Sequence, residues 1–296
     1  MRSWHARAAV GCALALALAA CTADEDPDAT GNQRRPVEAG DRYVALGDSY
    51  TSAPGVGTPT GPPGCQQTDG NYPHLLAAAL DLELTDASCG GAKTENMTAV
   101  QQAGGDAVPP QLDSVTEDTD LVTLSIGANN GEVYGSLVIT CAQLAANDPD
   151  GAPCSDLAQQ NPKVLPKVFS ATTEAIVETV GAILQRAPKA RVVVVGYPQI
   201  VPESGTCPEL PLASGDYPFG RRVIQEFVEA QREAAETAGA EYADVWSATA
   251  GHDICADEPW IAGVVPAKDA TPYHPYAEEQ QAVADLLEET VSSSGS

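Results

Sequence analysis

Short apolar runs alternate with longer amphipathic stretches from residue 42 to residue 291. The run Arg191–Val195 contains four consecutive valines, which is typical of a parallel strand buried on both faces. Strands are predicted at Tyr43–Leu46, Glu83–Ala87, Leu121–Ile126, Arg191–Val195 and Glu241–Val245. Helices are predicted, from apolar residues at helical spacing, at Tyr72–Leu80, Lys163–Arg186, Arg222–Ala238 and Tyr276–Val291.

This alternation of strand and helix predicts one α/β sandwich around a parallel sheet, and ligands of such sheets bind beyond the carboxyl ends of the strands. Two segments, 52–70 and 141–162, are rich in Gly, Pro and polar residues and are predicted to be long surface loops. Because long ordered loops often carry function, we consider both segments candidate walls of a substrate cleft.

The amino terminus has the pattern of an export signal. A positive head is followed by residues 8–20, which are almost all Ala, Leu and Val and are too few to span a bilayer. Cys21 follows small residues, as in a bacterial lipobox, which predicts lipidation at Cys21; the alternative is an ordinary signal with an incidental cysteine. The predicted organisation is a signal peptide (1–20), a flexible tether (21–41), one folded domain (42–291) and a disordered tail (292–296).

Net charge and cysteine content limit which partners and cofactors are expected. With 41 acidic and 15 basic residues the formal net charge is −26, so we expect no nucleic-acid partner, and membrane association only through the lipid anchor. The protein is predicted to be exported, either anchored at the cell surface through Cys21 or secreted, and to be a monomer.

Six cysteines fall in the domain, an even number that predicts disulfides; nearest-neighbour pairing is one of fifteen connectivities. No C-x-x-C or H-x-x-H cluster exists, so neither a metal nor another cofactor is expected.

The segment Gly47-Asp48-Ser49-Tyr50 follows the first predicted strand directly. A serine at the carboxyl end of a buried strand, after a glycine that permits a sharp turn, is well placed to act as a nucleophile when a base takes its proton. Gly, Asp and Ser are also common turn formers, so the motif alone is weak. Ser49 is the candidate nucleophile.

Three histidines remain outside the signal segment as candidate bases. His74 lies in a predicted helix, where a structural role is the better interpretation, and His252 lies beside Cys255, where it is expected to organise a loop. His274 precedes Pro275 and the last helix, in a loop that can reach the edge of the sheet where Ser49 lies. His274 is the predicted base, although the same pattern also suits a simple helix start.

Two further segments could hold the oxyanion of an acyl-transfer reaction, because each offers N–H donors after a strand. Cys89-Gly90-Gly91-Ala92 follows the second predicted strand, and Gly127-Ala128-Asn129-Asn130 follows the third. The first has an alternative interpretation as a turn, and Asn130-Gly131 as a hairpin. Their order along the chain, each after a strand, favours the catalytic interpretation.

With these blocks the chain resembles the SGNH (GDSL-type) hydrolase family, in particular its secreted actinobacterial esterase and lipase group with three disulfides. The resemblance covers residues 42–290 and implies the nucleophile Ser49, the base His274, and oxyanion donors at Ser49, Gly91 and Asn129. It also implies a three-layer α/β/α flavodoxin-like sandwich with a five-stranded parallel sheet. The implied disulfides are sequential: Cys65–Cys89, Cys141–Cys154 and Cys207–Cys255.

Two positions depart from the family pattern. The family's aspartate three residues before the histidine is Thr271 here, so we predict that the Thr271 backbone carbonyl accepts from the His274 ring, with Asp269 as the rival orienter. Asn130 replaces a second family aspartate, which keeps the size and loses the charge.

The predicted function is therefore hydrolysis of a small-molecule lipid or short-chain acyl ester through an acyl-enzyme. A carbohydrate (acetyl) esterase and a thioesterase or acyltransferase would use the same residues. A surface lipoprotein that binds a ligand without catalysis is the alternative from another class, and it is kept open by Thr271 and Asn130.

Overall fold

A computed structural model of the chain describes Met1 and residues 35–293. Residues 2–34, which contain the predicted lipidation site Cys21 and most of the predicted signal peptide and tether, lie outside the described residues, as do residues 294–296 of the predicted tail. Within residues 35–293, no helix is long and apolar enough to cross a membrane.

Five parallel strands form the central sheet. The described residues form seven strands in all: β1 Arg42–Gly47, β2 Glu83–Asp86, β3 Gln101–Ala103, β4 Asp106–Val108, β5 Leu121–Ser125, β6 Arg191–Val195 and β7 Glu241–Ala243. The sheet has the order β2-β1-β5-β6-β7, while β3 and β4 form a separate antiparallel pair. All five predicted strands are present, and β5 and β6 are buried along their whole length.

Helices cover both faces of the sheet. They are α1 Ser49–Ser52, α2 Tyr72–Leu80, α3 Val133–Gly135, α4 Cys141–Ala145, α5 Pro153–Gln160, α6 Val164–Arg186, α7 Tyr217–Ala238, α8 Val245–Ala248 and α9 Ala277–Ser292. Because side chains alternate along a strand, Val44 and Val122 pack with α6 and α7, whereas Tyr43, Leu121 and Val193 pack with α2 and α9. The predicted three-layer α/β/α sandwich is confirmed, and its strand order is the flavodoxin-like one.

The strand order reverses between β1 and β5, because the chain first runs from β1 to β2 and then returns to the other side of β1. Such a reversal leaves a crevice at the carboxyl ends of the two strands. Gly47 of β1 is opposite Ser125 of β5. The residues that follow these two positions therefore meet at one crevice.

The prediction of a loop over 141–162 is wrong. The segment contains α4 and α5, and a π-helical turn, Ser136–Thr140, precedes α4. No side chain of its own segment caps α5; instead the buried carboxylate of Asp216 accepts the N–H groups of Cys154 at 2.9 Å and Ser155 at 2.8 Å. Because this cap comes from about sixty residues away, the local pattern of the segment does not indicate the helix.

Three disulfides join these elements in the sequential pairing that the resemblance implies: Cys65–Cys89, Cys141–Cys154 and Cys207–Cys255. The first ties the loop after α1 to the segment after β2, and the second ties α4 to α5. The first disulfide thus fixes the loop after α1 covalently to the segment that carries Gly91.

Residues 35–41, assigned to the tether from the sequence, are bonded to the domain. The Val37 N–H donates to the Val291 carbonyl at 3.0 Å, and Arg35 forms ion pairs with Asp41 and Asp120, each at 2.8 Å. The tether predicted for 21–41 therefore does not extend over residues 35–41.

Candidate active site

Ser49 is the first residue of α1 and lies directly beyond the carboxyl end of β1. Gly47 is required there, because a Cβ would lie 2.1 Å from Thr51 Oγ1 and 2.7 Å from the Ser125 carbonyl oxygen. Asp48 caps α1, and its Oδ1 accepts the Tyr50 N–H at 3.0 Å. Ser49 is consequently held on a short, tightly packed turn and is itself partly exposed.

The carboxyl group of Asp48 is fully buried behind this turn. Its Oδ2 accepts the hydroxyl of Tyr197, and its Oδ1 the Tyr50 amide. Burial raises the pKa of Asp48 to about 7, against the opposing effect of these two hydrogen bonds. Asp48 therefore stabilises the turn through two hydrogen bonds to a carboxyl group that is shielded from water.

The segment that carries Gly91 packs against the same turn. The Cys89 N–H donates to the Gly47 carbonyl at 3.0 Å. Gly91 is exposed and adopts φ +73, and a Cβ there would meet no atom within 4 Å, so glycine serves the backbone conformation rather than the space. The bond from Cys89 to Gly47 thus holds the exposed Gly91 close to the turn that carries Ser49.

Asn129 is brought to the same place from β5. Its side-chain Nδ2 donates to the Ala92 carbonyl at 3.0 Å, next to Gly91. Asn130, the residue that departs from the family pattern, accepts the Thr94 N–H at 3.1 Å and donates to the hydroxyls of Thr94 and Thr172 at 2.9 and 3.0 Å. The amide at position 130 thus anchors this turn to the Gly91 side of the crevice, and it does so without a charge.

Gln111 is a supporting residue that the sequence did not reveal. Its side chain pairs with Gly47 as a strand would, since Oε1 accepts the Gly47 N–H and Nε2 donates to the Gly47 carbonyl, both at 2.8 Å. No motif marks Gln111 in the sequence. Its role is evident only in the folded chain, from these two hydrogen bonds and from its burial.

His274 lies in the loop before α9 and is partly buried. Its ring Nδ1 lies 2.8 Å from the Pro272 carbonyl oxygen. The prediction that the Thr271 carbonyl orients the ring is therefore wrong by one residue: that carbonyl accepts the backbone N–H of His274 at 3.1 Å. The ring Nδ1 that the rival orienter, Asp269, was expected to contact likewise has the Pro272 carbonyl as its partner. Burial lowers the pKa of His274, and the bond to Pro272 partly opposes this effect.

Two tyrosines hold this loop, and the sequence indicated neither. The carbonyl of Tyr273 accepts the hydroxyls of Tyr50 at 2.9 Å and of Tyr134 at 2.7 Å, and the two hydroxyls also contact each other. Tyr273 adopts φ +63, a conformation that is costly for a bulky residue and that these bonds stabilise. The Tyr50 ring lies 5.6 Å from the His274 ring, centroid to centroid, so His274 reaches the immediate neighbour of Ser49.

The other two histidines lie in different surroundings. The Nδ1 of His74 contacts Asn71 Oδ1 at 2.7 Å at the start of α2. His252 stacks on Trp260 with ring centroids 3.7 Å apart. Among the described residues, no group of three His, Cys, Asp or Glu side chains could hold a metal ion.

Comparison with known proteins gives one consistent result. Residues 45–282 match the GDSL-like Lipase/Acylhydrolase family. Lipase 2 of Streptomyces coelicolor is 36% identical over 287 residues, which is 94% of this chain and 92% of that protein. The crystal structure of phospholipase A1 from Streptomyces albidoflavus has a TM-score of 0.69 at 27% identity and covers 85% of this chain and 100% of that one.

An extracellular lipase from Streptomyces rimosus is similar to the same extent, with a TM-score of 0.68, 27% identity, and coverage of 84% of this chain and 99% of that chain. The family match runs from within β1 to within α9 and so includes all three turns at the crevice. The chain therefore belongs to the GDSL-like lipase/acylhydrolase family and is a carboxylic ester hydrolase.

Proposed function

We propose that the protein hydrolyses lipid esters or short-chain acyl esters through Ser49 and His274, with an acyl-enzyme intermediate. The bond between His274 Nδ1 and the Pro272 carbonyl is the observation that supports this most directly. A carbonyl oxygen can only accept, so in the neutral ring Nδ1 carries the hydrogen and Nε2 keeps its lone pair. The ring is thus held in the tautomer that a general base requires, beside the neighbour of Ser49.

In the proposed reaction His274 Nε2 takes the hydroxyl proton of Ser49 while the oxygen attacks the ester carbonyl. His274 then donates that proton to the leaving alcohol, and the acyl group remains on Ser49. A water molecule, deprotonated by His274, attacks the acyl-enzyme, and the carboxylic acid and the free serine are released.

The oxyanion formed in both steps would be stabilised by the N–H groups of Ser49 and Gly91 and by the amide of Asn129. N–H groups in the first turn of a helix have no partner within the helix, which is the situation of Ser49. The Asn129 Nδ2 carries two hydrogens, of which one is used by the Ala92 carbonyl. The other is free to meet the substrate oxygen.

The described relatives favour lipid esters as substrates, since one is a phospholipase A1 and two are lipases. We also propose that the protein is exported and works as a monomer on a small-molecule ester, without a nucleic-acid partner. Three disulfides support an oxidising compartment. Lipidation of Cys21 would then hold the domain at the outer surface of the membrane.

The test pairs each proposed residue with a matched control. Ser52 lies three residues after Ser49, and its buried hydroxyl has no hydrogen-bond partner within the described chain, so Ser52→Ala should be almost silent. A fluorophosphonate should label the parent and Ser52→Ala stoichiometrically and leave Ser49→Ala unlabelled. The kcat for p-nitrophenyl butyrate should fall about 10⁴-fold or more in Ser49→Ala and in His274→Ala, but not in His252→Ala. Hydrolysis by Ser49→Ala at the parent rate would refute the proposal.

The oxyanion assignment has its own test. Replacing Asn129 by Ala should lower kcat about 10²–10³-fold with little change in KM, because the lost bond strengthens only as charge develops on the substrate oxygen. A change confined to KM would instead place Asn129 in substrate binding.

A further inference from the structure

Gln280 is a fully buried glutamine near the start of α9, the helix that follows the histidine loop. Its side chain bonds to two other elements of the fold. Nε2 donates to the Tyr50 carbonyl at 3.0 Å, and Oε1 accepts the N–H of Tyr72, the first residue of α2, at 2.7 Å. One amide group therefore joins α9, α2 and the turn that carries Ser49.

Both bonds satisfy backbone groups that have no partner within their own helix. Tyr50 lies in α1, and the residue four positions further, which would donate to its carbonyl in a longer helix, is Pro54, which has no N–H. Tyr72 begins α2, where the backbone N–H groups have no acceptor within the helix. The Gln280 amide supplies an acceptor to one group and a donor to the other.

The orientation of the Gln280 amide is fixed by these partners. A flipped amide would turn its oxygen toward the Tyr50 carbonyl and its nitrogen toward the Tyr72 N–H, so only the observed orientation suits both. Nε2 also donates to Oε2 of Glu279 at 2.7 Å, and Glu279 is itself 2% exposed. The side chain thus makes three hydrogen bonds out of contact with water and holds its neighbours at fixed distances.

Tyr50 is bonded to the chain on both sides of His274. Its hydroxyl donates to the carbonyl of Tyr273, the residue before His274, and its carbonyl accepts from Gln280, six residues after His274. Tyr50 is also the residue directly after Ser49. The two bonds therefore connect the segments that flank the proposed base to the neighbour of the proposed nucleophile.

The segment between His274 and α9 is held by backbone hydrogen bonds of its own. The His274 carbonyl accepts the Ala262 N–H at 2.9 Å, and the Tyr276 N–H donates to the Trp260 carbonyl at 2.8 Å. Because this segment runs directly into α9, the position of α9 and the position of the His274 backbone are closely linked.

We propose that Gln280 is a positioning residue that sets the distance between the hydroxyl of Ser49 and the ring of His274. The inference rests on the ester hydrolysis proposed above, and it adds a residue that acts on this reaction without touching the reacting atoms. A displacement of about 1 Å in an active site can lower a rate about 100-fold, so loss of the Gln280 amide should lower kcat rather than raise KM.

Gln280→Met keeps the length of the side chain and removes its hydrogen bonds. With p-nitrophenyl butyrate, kcat should fall about 10- to 100-fold while KM changes less than about twofold, and labelling by a fluorophosphonate should slow by a similar factor. Gln199→Met is the matched control, because Gln199 is a buried glutamine whose side chain bonds to the Trp246 carbonyl at 3.0 Å and to Arg221 at 3.3 Å. The control should lose stability and keep the parent kcat.

A double-mutant cycle separates positioning from a purely structural role. If Gln280 aligns Ser49 with His274, a protein without the imidazole has nothing left to misalign. Gln280→Met should therefore lower the residual kcat of His274→Ala less than about threefold. If Gln280→Met does not fold, Gln280→Asn keeps an amide that is one methylene too short for both bonds, and it should lower kcat about tenfold in the parent alone.

An equal loss in the parent and in His274→Ala, an unchanged kcat in the folded Gln280 variants, or a loss confined to KM would overturn the proposal. These results differ from failure of the Ser49–His274 centre, which would show as a parent protein that neither hydrolyses p-nitrophenyl butyrate nor reacts with a fluorophosphonate.

Discussion

The buried carboxyl of Asp48 makes stability depend on pH in the direction opposite to that of most carboxylates. Asp48 is fully buried, and burial raises its pKa from 3.8 to about 7. A carboxyl that holds its proton more tightly in the folded chain stabilises the fold at low pH. That contribution is fully present below pH 3.8 and is lost as the pH rises through about 7. Each pKa unit between the unfolded and the folded protein corresponds to 1.36 kcal/mol, so ionised Asp48 costs the folded protein about 4 kcal/mol at pH 8.5.

Asp48→Asn removes this ionisation and changes little else. The amide oxygen can still accept the Tyr50 N–H, but the amide nitrogen cannot accept the Tyr197 hydroxyl, which costs about 1 kcal/mol. The free energy of unfolding should therefore be about 2–3 kcal/mol above that of the parent at pH 8.5 and about 1 kcal/mol below it at pH 4. The reversal of sign between the two pH values is the signature of the buried acid.

Urea unfolding at pH 4 and pH 8.5, with the disulfides intact, measures both differences. Asp244→Asn is the control of opposite sign. Burial would raise the pKa of Asp244, but hydrogen bonds from Arg232 and Ser247 outweigh it and lower that pKa. The contribution of Asp244 is therefore present above pH 3.8 and lost in acid, so its Asn variant should be the less stable protein at pH 8.5. If Asp48→Asn is less stable than the parent at both pH values, the reasoning about Asp48 is refuted.

The active-site loop and the sheet allow further predictions. The double variant Tyr50→Phe/Tyr134→Phe removes two hydrogen bonds of about 1 kcal/mol each from the loop, so kcat should fall about 30-fold. The control Tyr43→Phe loses a hydrogen bond to a buried threonine and should lower the free energy of unfolding while kcat stays at the parent value. An unchanged kcat in the double variant would contradict the positioning role. Burial lowers the pKa of His274, so the acid limb of kcat/KM should have its midpoint below pH 6.5, and a midpoint above 6.5 would contradict this effect of burial. Arg191→Met leaves a largely buried carboxylate unpaired and should cost about 3–5 kcal/mol in urea unfolding; a loss below about 1 kcal/mol would contradict this.

The sheet was predictable because its physical requirement is local. A parallel strand covered by helices on both faces must be apolar at nearly every position, so β6 Arg191–Val195 could be located to the residue. The position of the site then followed from topology, since segments after β1 and β5 must meet where the strand order reverses.

The parts that failed depend on contacts between distant segments. α5 begins where Asp216, far along the chain, supplies the cap, and Gln111 clamps Gly47 across 64 residues. Neither residue carries a motif of its own. Similarly, the left-handed conformation of Tyr273 decides which carbonyl faces the His274 ring, and a Tyr gives no signal for that conformation in the sequence.

In the proposed mechanism, the histidine loop replaces the orienting role that an aspartate at position 271 would have. An aspartate would both orient the imidazole and stabilise its positive charge. Here the Pro272 carbonyl sets the tautomer, and the tyrosine hydroxyls on the Tyr273 carbonyl hold the backbone that presents the ring. Burial lowers the pKa of His274, and a carbonyl dipole opposes this effect less than the full negative charge of an aspartate would. Neutral groups thus orient the His274 ring, and the imidazolium lacks the additional stabilisation that a carboxylate would provide.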